Sequence, residues 1–138
     1  MAKPASRTKA CTRADALVRL AQAESLILVA ELVLDDATDV ATPGVAASLA
    51  VLAGIAASDA ACCAKLKLRS RGDSHHDAVA ILETVAPHGA AMAKDLKRLI
   101  DRKDDSHYGL AFISAGEATK MVAWASRLTA TARTVVES

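Results

Sequence analysis

Aromatic side chains are nearly missing, since Trp, Tyr and Phe together make up 2% of the 138 residues. Strand sandwiches draw on aromatic and β-branched side chains, so that architecture lacks its usual packing material. Proline and glycine are sparse as well, at three and six, which leaves long stretches free of helix breakers. Net charge is only +1, and this excludes the broad positive field that attracts nucleic acid regardless of sequence. Any RNA contact must therefore be local. The three cysteines, Cys11, Cys62 and Cys63, form no CxxC pair. An odd count with two adjacent thiols makes a poor disulfide framework, so all three read as reduced thiols of a cytoplasmic protein.

What the chain has in quantity is aliphatic, with 52% apolar residues and Ala, Leu, Val and Ile left to build the core. Alanine is the best helix former, and the length suits one domain with a real interior. The expected fold is all-α, an antiparallel up-and-down bundle of four to five helices over residues 9–138, preceded by a flexible tail over residues 1–8. The first nine residues are polar and basic, without the apolar block of a signal peptide. The most apolar run, residues 45–57, is shorter than the roughly 20 residues of a membrane span. Asp59 and Lys65 follow it closely, so it predicts a buried core helix and no membrane partner.

Periodicity and caps place the helices. Residues 7–34 contain no Gly, and Pro first recurs at 43. With Leu17, Leu20, Ile27, Leu28 and Leu34 at helical spacing, they predict a long amphipathic first helix. Glu24 and Glu31 fall on the same stripe, which suggests its edge or a basic partner. Thr42-Pro43 starts a second helix that is apolar nearly all round, reaches about residue 68, and holds Asp59, an acid that needs an arginine or a backbone amide. Gly72 then breaks the chain. A short third helix over residues 74–86 lines up His75 with Val79, Leu82 and Ala86. A fourth, from Gly89, carries Met92, Leu96, Leu99 and Ile100. Ser114 and Glu117 read as a capping box for a fifth, with Ala118, Met121, Val122, Ala125, Leu128, Ala132 and Val135 as its stripe.

Chemistry concentrates in residues 101–109, taken as the link between the fourth and fifth helices. Arg102 precedes His107 by five positions. On an unbroken helix they would point about 140° apart, so they converge only if the helix ends between them or across a two-fold dimer. A histidine can take the proton of a ribose 2′-OH, while an arginine fork holds the phosphate and its developing charge. Arg71 and His76 repeat the spacing as secondary candidates, although Gly72 and Asp73 suit a loop and a cap there. His75 and His76 diverge on a helix, and no HExxH or Cys/His quartet completes a metal site. No metal and no other cofactor is expected.

The helix order, the short third helix, and Arg-x4-His followed by Tyr108-Gly109 before the last helix resemble the HEPN family, the higher eukaryotes and prokaryotes nucleotide-binding domains. The resemblance covers about residues 8–136, with residues 102–109 as its motif. It implies a metal-independent endoribonuclease, often a toxin–antitoxin or defence component, with Arg102 on phosphate and His107 as acid/base. Lys103, Asp104 and Tyr108 would then contact substrate. The family usually sets Asn, Asp or His after the arginine, where Lys103 stands, and one branch sets its tyrosine two places after the histidine, where this chain has Tyr108 adjacent. The implied partners are RNA, a second copy in a homodimer, and an antitoxin or nucleotidyltransferase-type protein. Trp124, at the edge of the last helix's stripe, is a candidate dimer contact. Two alternatives remain open: a non-catalytic HEPN-like module that binds a protein or nucleotide partner, and a structural bundle whose charges only solvate it.

Overall fold

The computed structural model describes residues 7–36, 42–72, 75–106 and 113–138, the last three residues of the third stretch by backbone alone. Its elements are β1 (Thr8–Ala10), α1 (Arg13–Asp35), α2 (Thr42–Leu66), β2 (Leu68–Ser70), α3 (His75–Glu83), α4 (Gly89–Ser106) and α5 (Ala115–Glu137). The pairings Arg13 to Val136 and Glu24 to Arg133 run α1 against α5. Asp95 to Arg127 and Arg98 to Trp124 do the same for α4 and α5. This is the antiparallel all-α bundle expected.

α2 is the central helix. Its alanines at 46, 50, 53, 56, 57, 60 and 61 are buried, and such small side chains let neighbouring backbones approach closely. Gly54 carries this furthest, because a Cβ there would lie 2.6 Å from Leu99 Cδ1 of α4. The whole helix is long and apolar enough to cross a membrane by length and composition, beyond the shorter run marked above, yet 72% of its apolar window is buried inside the bundle. At the start of α4 only glycine fits, since a Cβ on Gly89 would fall 2.7 Å from the Leu82 carbonyl oxygen.

α1 departs from the simple amphipathic helix. Its buried residues are Ala16, Leu20, Ala23, Ile27 and Ala30, steps of four and three with alanine at every seventh position. Leu20 and Ile27 are buried as expected and Leu34 partly so, but Leu17 and Leu28 face solvent. The reason is close packing: α1 meets its neighbours across alanines, and larger side chains are turned away. Thr12 and Asp15 form a capping box that starts the helix later than residue 7.

The residues before that cap form structure too. β1 pairs antiparallel with β2, Thr8 opposite Ser70 and Ala10 opposite Leu68, so the chain is held from Thr8, inside the stretch expected as a tail. α2 stops at Leu66 because Lys67 adopts a positive φ of 60°, earlier than Gly72 would dictate. The Cys11 N–H donates to the Lys67 carbonyl at 3.0 Å. Beside it Cys11 and Cys63 form a disulfide, with Cα atoms 5.4 Å apart and 52 residues of separation. This corrects the reading of three reduced thiols, and the cytoplasmic expectation loses its premise. The partner choice depends on β1–β2 pairing, which folds residue 11 back onto the end of α2. Cys62 stays a free, buried thiol, pushed up to about 12 chiefly by burial.

α3 ends at Glu83, and its buried residues are Ala78 and Leu82, with Val79 half-buried. Met92, Leu96, Leu99 and Ile100 of α4 are buried. So are all seven expected stripe residues of α5.

Candidate functional site

α4 continues through Ser106, so Arg102 and Lys103 stand on a helix and not in the connecting loop expected. No glycine or proline interrupts α4 after Gly89, and Lys97 ties Asp101 one turn on at 2.8 Å, a spacing that supports a helix face. The antiparallel register then brings Arg102 to the first turn of α5, where its guanidinium is ion-paired with Glu117. Ser114 caps α5 as expected, accepting from the Glu117 N–H at 3.1 Å. The Glu117 carboxylate, however, is shared between Ser114 Oγ and Arg102.

Lys103 reaches across to α3. Its Nζ lies 3.1 Å from His75 Nε2. An ammonium group has only donors, so in this contact the imidazole nitrogen is the acceptor. The two side chains close one end of a cavity of about 530 Å³ whose walls are Ala47, Val51, Leu52 and Ile55 of α2. One residue of each Arg-x4-His segment, Lys103 and His75, is thus in contact with the other, and neither is the arginine or the histidine of its pattern.

The secondary pair itself does not converge. Arg71 is exposed and its backbone N–H donates to the Arg7 carbonyl at 3.0 Å. His76 is exposed on the first turn of α3. Arg69 lies in β2, its guanidinium donating to the Ser70 carbonyl at 3.1 Å. His107 and Tyr108 lie outside the described residues, and for Asp104 only the helical backbone is described. Among the described residues, no three His, Cys, Asp or Glu side chains are grouped to hold a metal ion.

Trp124 is half-buried against the core, and the Arg98 guanidinium carbon stands 5.5 Å from its ring centroid. Part of the ring offered above to a dimer is thus covered from within the chain. Sequence reasoning did not find Glu117 as the partner of Arg102, nor His75 as the partner of Lys103. Both pairings are set by how α4 lies against α5 and α3, which no local spacing encodes. Comparison with protein-family models, with curated proteins and with solved structures finds no match.

Proposed function

We propose that this chain is a HEPN-like protein acting on RNA without a metal ion, with Arg102 on the phosphate and His107 as the proton carrier. The observation that carries the reading is the approach of Lys103 to His75, which sets one cationic and one imidazole side chain, drawn from the two Arg-x4-His segments, side by side. In the reaction a base takes the proton of the ribose 2′-OH and that oxygen attacks phosphorus. The bond to the 5′ oxygen breaks, and the leaving oxygen receives a proton. A 2′,3′-cyclic phosphate and a 5′-OH result.

A second reading is favoured by the ion pair of Arg102 with Glu117. Glu117 occupies guanidinium donors that phosphate would use, which suits a non-catalytic HEPN-like module binding a protein or nucleotide partner. The test is cleavage of single-stranded RNA in EDTA. Products ending in 2′,3′-cyclic phosphate are expected, and His107→Ala should lower the rate about 10² to 10⁴-fold while leaving the helical signal intact. Arg102→Ala should act similarly, with Arg71→Ala and His76→Ala having smaller effects. Absence of cleavage, or cleavage indifferent to His107→Ala, leaves the binding module as the better account.

A further inference from the structure

α1 has a second apolar face, opposite the buried one. Val18, Ala21, Ser25, Leu28 and Leu32 all face solvent at steps of three and four, the spacing of a coiled-coil seam. Val18, Leu28 and Leu32 are 57%, 59% and 58% exposed, so half or more of each side chain's apolar surface is left to water. Leu17 and Val29 widen the stripe at 49% and 44%. An apolar seam this regular on the outside of a helix marks an unfilled interface more than scattered surface leucines do.

We propose that this face docks a second copy of the chain, the two α1 helices packing antiparallel about a two-fold axis near Ser25. Three observations select that occupant. The stripe is self-complementary, since a two-fold at Ser25 sets Val18 of one copy against Leu32 of the other and Ala21 against Val29. The small residues Ala21 and Ser25 fall at the crossing, where two backbones must come closest. Charge is divided along the helix in the sense that antiparallel pairing needs. Arg13, whose Nη1 donates to the Val136 carbonyl of α5 in the same chain, stands at the start of one flank, and Glu31 and Asp35 stand at the end of the same flank, 18 and 22 residues on. Antiparallel pairing sets like flanks together with their ends exchanged, so Arg13 approaches the acids of the other copy.

The seam on α1 is too small by itself for a standard interface. From Val18 to Leu32 the seam spans roughly 21 Å and is about 10 Å wide, well short of the roughly 800 Å² per partner of a standard interface. Beside it, however, a groove of about 850 Å³ opens between α1 and α5, with Leu28, Leu32, Val122 and Ala123 among its apolar lining and Glu31, Asp35 and Arg127 among its charged lining. Leu17 and Val18 of the second copy would fill it.

The inference is independent of the ribonuclease reading, and RNA cleavage is no part of its test. Sedimentation of the full chain at micromolar concentration should give twice the 14.3 kDa chain mass. Leu28→Glu should weaken dimerisation roughly 30-fold or more, as loss of a central anchor does, with unchanged helicity because the side chain touches solvent. Ser25→Cys should form an intermolecular disulfide without added cross-linker, and Ala91→Cys on the exposed side of α4 should not. Arg13→Glu should weaken the dimer, and adding Asp35→Arg should restore it. A monomer throughout, a dimer untouched by Leu28→Glu, or no Ser25→Cys cross-link overturns the proposal; a heterologous helix on this face would give the first result.

Discussion

The buried acid Asp59 shows how a single residue couples two helices and a titration. Arg19 of α1 donates to its carboxylate through Nε at 3.0 Å and Nη2 at 2.9 Å. Burial nevertheless pushes the Asp59 carboxyl above its ordinary value, outweighing the nearby guanidinium. Desolvation therefore wins, and the folded chain takes up this proton at higher pH than the unfolded one. The charged carboxylate thus costs stability, a cost absent below the ordinary carboxylate value and complete above the raised one. Arg19→Met removes the main compensation and should cost about 1 to 3 kcal/mol near neutral pH. The deficit should shrink as pH falls through the raised value, where a protonated acid no longer needs the guanidinium. Urea melts of both chains at neutral pH and at about pH 4 measure this; an equal deficit at both would mean that Arg19 acts through packing alone. The sequence marked Asp59 as needing a partner because it is the single charge between Asp39 and Lys65. It could not choose Arg19, since 40 residues separate them.

At the scale of elements, the contact of Gly54 with Leu99 fixes how closely α2 and α4 approach. Gly54→Val should cost about 1 to 3 kcal/mol by overpacking, and Leu99→Ala in the same chain should recover part of it, because volume is then roughly conserved. Denaturant midpoints of the two single variants and the double variant measure the coupling. Strictly additive losses would place the strain elsewhere. The helices themselves were legible because apolar spacing and the signals Thr42-Pro43, Gly89 and Ser114 agree with the observed starts. β1 and β2 were not legible, since three-residue strands carry no usable period. Neither was the facing of α1, whose apolar residues lie on two sides and leave no contrast to read. At the site, Arg102 was picked out by its spacing to His107, while its contact with Glu117 depends on a register made only in the folded bundle.

For the whole molecule, the Cys11–Cys63 bond is the strongest single constraint. Closing a loop of 52 residues should add ~4 kcal/mol through the lost freedom of the unfolded chain. Reduction with a thiol, or Cys11→Ser with Cys63→Ser, should therefore lower Tm markedly and release β1 from β2. An unchanged Tm in the double variant would show that the bundle needs no covalent tie. This stability is available only under conditions in which the disulfide persists. The same bond makes α1 and most of α2 a covalent ring through which no tension passes. Pulled by its two ends, the chain would carry load straight from Cys11 to Cys63, and about 180 Å of its contour would stay out of reach of the force until the bond was cut.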